Sequence, residues 1–186
     1  MLLPALALAL ALQTAAAQPA APAPKPFDCT APEYRQFDFW AGDWDVTLNP
    51  ETRPAGAAQP PGPPGHNVVT KIQDGCVILE TWDDRRGGTG QSFNIYDRVM
   101  KRWHQTWVDN SGSLHSYWGE LKDGSMVYVG DVPLGPAARF QGRRTIRVTF
   151  TPRGPDGMRQ FSEALMSDGT WSVNYDLVYT RRAKTK

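Results

Sequence analysis

An all-β antiparallel domain, a sandwich or a barrel of about nine or ten strands, is the fold class that this sequence predicts, on three observations. Glycine and proline are abundant, at 17 and 16 of 186 residues. No window sustains a helical period, and short aromatic and β-branched runs recur at intervals of roughly 8 to 14 residues. Those runs are separated by turn sequences, "DG", "GG", "NSG" and "PRGPDG". Strands are expected near 44–48, 67–73, 76–82, 91–97, 102–108, 113–121, 125–130, 144–151, 158–167 and 170–180. The proline-rich stretch 49–65 has no strand pattern and is expected to be a mobile surface loop.

Before the first strand, "MLLPALALALALQTAAAQ" carries an apolar run over 2–12. A spanning helix needs roughly 20 such residues, so this run is not an anchor. Ala15, Ala16 and Ala17 follow it in the A-x-A pattern, which makes 1–17 a signal peptide with cleavage after Ala17. Residues 18–26, rich in proline and alanine, form a disordered tether, 27–182 a single domain of about 155 residues, and 183–186 a basic tail. No "LxxC" lipobox precedes Cys29, where the sequence is "PFDC". The expectation is an exported protein, periplasmic or secreted, with no integral membrane segment once mature. Lys and Arg number 20 against 19 acidic residues, and the charges are interspersed, which argues against a nucleic-acid partner. Oligomeric state is not legible. In an oxidising compartment Cys29 and Cys76, the two cysteines of the chain, are expected to form a structural disulfide.

Turns fix register, and register decides which side chains share a face. With a two-residue loop at Asp168-Gly169, Met158, Gln160, Ser162, Ala164 and Met166 face inward with Trp171, Val173, Tyr175, Leu177 and Tyr179. Arg159, Glu163, Asn174 and Asp176 then face outward. The same construction at Asp74-Gly75 groups Val68, Thr70, Ile72, Val77 and Leu79, and sends Lys71, Glu80 and Trp82 to the other, outer face. Asp123-Gly124 pairs Trp118 with Val129 and Glu120 with Val127. If Asp109 stands opposite Gly112, then Trp103, Gln105 and Trp107 share a face with Leu114, Ser116 and Trp118. That tryptophan face is expected inside, because it buries more apolar area than the face of His104, Thr106, His115, Tyr117, Met126 and Tyr128.

Catalytic constellations are not evident. His66 lies in the proline-rich loop, and His104 and His115 lie across one hairpin without a third ligand, so no metal is expected. Ser92 is not in a G-x-S-x-G elbow, Asp109 and Ser111 belong to a turn, and "GGTG" lacks the helix a phosphate cradle needs. What remains is an aromatic interior with a few polar side chains, the composition of many small-molecule pockets. A small hydrophobic or amphipathic ligand is therefore expected against Trp103, Gln105, Trp107, Ser116, Trp118, Gln160, Ser162, Tyr175 and Tyr179, with no cofactor. One alternative is an enzyme acting on a hydrophobic molecule, an isomerase, cyclase or hydrolase, with His104 or His115 in the pocket. Another is an envelope interaction protein with a filled barrel.

The stretch "FDFWAGDWDV", 37–46, contains a G-x-W at Gly42-Asp43-Trp44 that resembles the opening of lipocalin and calycin barrels. In those families the tryptophan closes one end of the barrel beneath an arginine of the last strand. Arg181 continues the inward parity of Tyr179 and is the matching arginine here. Asp38 and Asp43 flank the entry to the strand and Asp45 alternates away from Trp44, so the three aspartates form no acid cluster. More widely, "FDFWAGDWDV", "DGCVILETW", "GQSFNIYD", "WHQTWVDNSG", "DGMRQF" and "DGTWSVNYDLVY" resemble a family of exported bacterial proteins catalogued as domain of unknown function 1579. The resemblance spans about 37–179 and implies an up-and-down, calycin-like β-barrel of about 9–10 strands. It implies no activity. Nitrobindin-like barrels of the same architecture hold haem through a histidine, and no matching histidine motif is present.

Overall fold

Ten antiparallel strands, each hydrogen-bonded to its neighbours in sequence, close through pairing of the first with the last. They are β1 (Gly42–Leu48), β2 (Gly65–Ile72), β3 (Val77–Asp83), β4 (Thr89–Asp97), β5 (Arg102–Asp109), β6 (Leu114–Lys122), β7 (Ser125–Pro133), β8 (Arg143–Pro152), β9 (Gly157–Leu165) and β10 (Trp171–Arg181). This computed structural model describes residues 28–52, 61–133 and 142–183; the expected signal peptide and tether, most of the basic tail and part of the proline-rich loop lie outside them. All ten strands expected from the sequence are present, in an up-and-down order that leaves no free sheet edge. Among the described residues no helix is long and apolar enough to cross a membrane.

One end of the barrel is plugged by the opening motif. Pro32–Arg35 and Asp38–Trp40 form 3-10 helices whose rings enter the lumen before β1 begins. Phe37 stacks on Trp40 at 4.8 Å and meets Trp103, Tyr128 and Phe150 at 5.1–6.0 Å, all five rings fully or almost fully buried. Trp44 donates its indole N–H to the Trp40 carbonyl at 2.9 Å. The Arg181 guanidinium lies over the Trp44 ring at 4.1 Å, and the two residues are directly paired across β1 and β10. Gly42 leaves room for this contact: a Cβ there would stand 2.2 Å from the Arg181 Nη1 and 3.1 Å from the Trp44 indole, so a larger residue would displace the guanidinium. The aspartates of the motif face outward to partners: Asp38 to Lys71 (2.7 Å), Asp43 to His66 (2.7 Å) and Asp45 to Arg182 (3.6 Å).

The turns explain which expected faces hold. Asp123 and Gly124 both have positive φ (50° and 77°), as a two-residue type I′ turn requires, and Trp118 pairs with Val129 and Glu120 with Val127 as expected. The other two loops are one residue longer. Asp109 pairs with Ser113 rather than Gly112, with Gly112 left-handed, so Gln105 faces Tyr117 and Trp107 faces His115. The Trp103, Gln105 and Trp107 face is inside as expected, but its β6 partners are His115, Tyr117 and Gly119. Ser116 and Trp118 are on the outer surface, where Arg102 covers the Trp118 ring at 4.1 Å and His104 meets it edge-on at 4.4 Å.

At β9–β10 the Met166 amide bonds to Thr170, again a three-residue loop with Gly169 left-handed. Trp171 and Val173 therefore face outward, Trp171 beneath the Arg147 guanidinium at 4.2 Å and Val173 60% exposed; Met166 is exposed as well. A bulge between Val173 and Tyr175 then restores the parity, so Tyr175, Leu177 and Tyr179 point inward as expected, and Asn174 reaches the mouth of the lumen. Asp176 stays on the outer face but is covered: it takes two bonds from Arg159, one from Asn49 and one from Thr52, all within 3.0 Å.

The largest correction concerns β2 and β3. Ile72 pairs with Val77 as expected, yet the inward side is the opposite one: Asn67, Val69, Ile78 and Glu80 are buried and Trp82 lines the lumen. The more apolar side, with Leu79 beside Phe93 and Ile95, looks outward, leaving Phe93 47% and Ile95 38% exposed. Hydropathy misassigned this face because its inner polar groups satisfy one another. Tyr117 and Tyr128, expected on an outer surface, are both interior.

Cys29 and Cys76 are disulfide-bonded, tying the segment before the plug to the β2–β3 turn across 47 residues. Replacing both with serine should lower stability by about 2–4 kcal/mol. Urea unfolding of the oxidised protein and the double variant checks this, and reductant should bring the wild type to the level of the variant.

Candidate ligand-binding cavity

Away from the plug the lumen is hollow. The cavity has a volume of about 460 Å³, within the usual span of small-molecule sites. Its mouth is formed by Ser113, Pro133, Arg144 and Asn174, and its walls by Trp82, Trp107, Tyr117, Ile146, Val148 and Leu177. A second hollow of about 330 Å³ lies between β1 and Pro63–Gly65, on the way past Trp82 and Leu177.

Glycines make room for two aromatic walls, Trp82 and Trp107, and for the buried ring of Tyr128 beside the plug. A Cβ on Gly65 would stand 2.3 Å from the Trp82 ring, one on Gly90 2.3 Å from the Trp107 ring, and one on Gly119 2.5 Å from the Tyr128 ring. Each ring thus lies flat across a bare stretch of neighbouring strand, where only a glycine leaves room. The Gly90→Ala change should push Trp107 toward the lumen and shrink the cavity; a shifted tryptophan emission maximum together with a crystal structure of the variant checks this.

The floor is polar and continuous. Glu80, only 5% exposed, accepts one bond from Asn67 Nδ2 (2.7 Å) and one from Ser92 Oγ (2.6 Å). Ser92 in turn accepts from Asn94, which accepts from Gln105, each at 2.9 Å. On the other side Asn67 also donates to the Tyr179 hydroxyl (3.2 Å), Tyr179 donates to Gln160, and Gln160 donates to the Tyr175 hydroxyl (3.0 Å). Ser162 accepts from Asn174 at 3.3 Å. Direct cross-strand pairing builds most of this: Glu80 opposite Ser92, Asn94 opposite Gln105, and Ser162 opposite Tyr175. Two buried polar atoms in this region, Asn67 Oδ1 and the Tyr128 hydroxyl, have no hydrogen-bond partner among the described residues.

Burial pushes the Glu80 carboxyl up to about 7, against the lowering effect of Ser92 and Asn67. Burial also raises Tyr117 to about 12 and Tyr175, Tyr128 and Tyr179 further, so all four phenols are neutral at ordinary pH. His115, on the cavity wall, is lowered by burial, partly offset by Asp109. His104, also lowered by burial, is on the outer face. The two histidines are therefore on opposite sides of the sheet, and among the described residues no cluster of three or more His, Cys, Asp and Glu side chains is placed to hold a metal ion.

Of the residues expected at a ligand site, Gln105, Trp107, Gln160, Ser162, Tyr175 and Tyr179 line the cavity. Trp103 is inside but belongs to the plugged end, donating to Gln36 at 3.0 Å, and Ser116 and Trp118 are outside. Glu80, Trp82 and Tyr117 line the cavity and were missed by sequence reasoning, and His115, expected there only under the enzyme alternative, lines it too. The alternation of Gly90, Ser92 and Asn94 along β4, small or polar on one side with Phe93 and Ile95 on the other, was the available signal. No protein-family model matches the chain, and no curated protein matches its sequence. The closed barrel agrees with the calycin-like architecture; the narrower family resemblance rests on the quoted motifs.

Because Glu80 titrates higher in the folded chain than in the unfolded one, the folded state holds its proton longer, and stability falls as pH rises from about 4.5 through 7. A shift of this size corresponds to about 3 kcal/mol. The Glu80→Gln variant should lack this loss, so its stability relative to wild type should improve by about that amount between pH 4.5 and 8 in parallel urea titrations.

Proposed function

We propose that the protein is an exported, calycin-like barrel that binds a small amphipathic molecule inside its lumen. The observation that carries this reading is the cavity of about 460 Å³ with aromatic and aliphatic walls over a hydrogen-bonded polar floor. Such a surface buries an apolar body on Trp82, Trp107, Ile146, Val148 and Leu177 and fixes a polar end near Glu80, Gln160 and Tyr179. The leading apolar segment with its A-x-A pattern, together with the Cys29–Cys76 disulfide, supports passage to an oxidising periplasmic or extracellular compartment.

A second reading, an enzyme acting on a hydrophobic small molecule, rests on Glu80: a carboxyl titrating near 7 inside a cavity is in the range that general acids and bases use. Of the two histidines expected for such a reading, His104 faces away from the lumen and His115 lines it.

Native mass spectrometry of protein purified from its own host, followed by organic extraction, should show a bound small molecule, and that molecule should change the intrinsic fluorescence through Trp82 and Trp107. Recovery of a chemically altered product after incubation would select the enzymatic reading. A protein that carries nothing and shows no fluorescence response across a panel of amphiphiles would overturn both.

A further inference from the structure

We propose that the molecule this cavity takes is an amphipathic cation, with an ammonium or amidinium head on the Glu80 carboxylate inside an aromatic box of Trp82, Trp107, Tyr117 and Tyr179. The proposal rests on the internal-binding reading and names its ligand class.

The charge distribution of the cavity points this way. Glu80 is the one carboxylate among the described lining residues, and it is at the buried end, whereas the one guanidinium, Arg144, is exposed at the mouth. The protein spends two donors on Glu80, from Asn67 and Ser92. A carboxylate offers about four acceptor positions, so two remain for a ligand. Next to it Asn67 Oδ1 is a further buried acceptor that no described residue satisfies. The carboxylate end thus has acceptors to spare, and the donors that reach it are committed: Ser92 and Asn67 to Glu80, Tyr179 to Gln160, and Gln160 to Tyr175, while the unpartnered Tyr128 hydroxyl is not among the residues that line the cavity. An anionic head would meet the Glu80 carboxylate with no buried cation to offset it. An ammonium supplies donors only and is also drawn to the faces of indole and phenol rings, which make up much of the wall.

The pH dependence has a defined sign. An alkylamine stays protonated throughout, so its affinity should rise as Glu80 ionises, with release of a proton on binding at pH near 7. The other groups facing Glu80 do not produce that rise. On β7 and β10, Tyr128, Tyr175 and Tyr179 are neutral throughout, as is Tyr117 on β6. Asn67 on β2, Ser92 and Asn94 on β4, Gln105 on β5 and Gln160 and Ser162 on β9 carry no charge. On β8 the facing cation is Arg144, at the mouth. His115 on β6 is held below the ordinary imidazole value by burial, and the Glu80→Gln variant, which keeps His115, separates its contribution from that of Glu80.

The experiment compares n-octylamine, 1-octanol and octanoate by isothermal titration calorimetry and tryptophan fluorescence. The folded wild type and the Glu80→Gln variant, matched by circular dichroism, are each titrated at pH 6.5 and 8.5. Octylamine should bind wild type at least about tenfold more tightly than octanol or octanoate at the higher pH, and more tightly there than at the lower. The variant should lose about tenfold more affinity for octylamine than for octanol, because only the ammonium loses a charge partner. Octanol or octanoate binding as tightly as octylamine, or octylamine affinity that is flat with pH in the wild type, overturns the cation assignment and leaves internal binding standing. Failure of all three to bind overturns the reading beneath it as well. The wild-type comparison alone decides the question if the variant does not fold.

Discussion

Ten strands enclose more space than their own inward side chains fill, and the two ends of this lumen meet that constraint in opposite ways. At the β1–β10 closure the chain inserts its own leading segment, so Phe37, Trp40, Trp44, Trp103 and Phe150 make a solid aromatic plug. The plug is fastened from outside by Arg181 on Trp44 and by the disulfide that holds residue 29 against the β2–β3 turn. At the other end nothing comparable enters, and the walls are held apart by rings lying across glycines. The hollow end exists because the plugged end carries the packing.

A carboxyl placed in such a lumen ordinarily destabilises the fold, since desolvation penalises its charged form. Here the cost is divided. Asn67 and Ser92 each satisfy one oxygen, and behind them Asn94 and Gln105 orient Ser92 so that its proton points toward Glu80. The relay from Gln105 through Asn94 and Ser92 runs toward the carboxylate, which favours the ionised form, while burial favours the neutral one. The balance near 7 is therefore a contest between two built-in features and not a by-product of either. A filled core would have gained more by placing an aliphatic side chain at this position.

How much of this was legible in the sequence depended on turn length. Strand number, the barrel-closing pair of Trp44 and Arg181, and the β6–β7 register followed from period-2 alternation and from an Asp-Gly turn whose two residues both adopt positive φ. At Asp109 and at Asp168 the same residue types instead organise three-residue loops, with the aspartate side chain bonded to backbone amides one turn on. A single extra residue reverses every side chain beyond it, which is why Trp118 was expected inside and His115 outside. At β10 the error was cancelled by the bulge before Tyr175, so the inward tyrosines came out right although Trp171 did not. Aromatic content misled for a further reason: an outward tryptophan roofed by arginine, as Trp118 by Arg102 and Trp171 by Arg147, is half-buried without entering the core.

The β2–β4 face shows the limit of hydropathy as a guide to which side is in. Register there was correct and orientation was not, because Glu80, Ser92, Asn94 and Asn67 look like an outer face when each is weighed alone. They read as an interior only as a connected set, in which each polar group on one strand stands beside a partner on the next. The outward side then accepts the apolar residues that a filled barrel would have turned inward, and Phe93 and Ile95 are the visible result. An interior more polar than its exterior along the same strands is the arrangement of a container, and the sequence pattern that hid the cavity follows from the chemistry of what lines it.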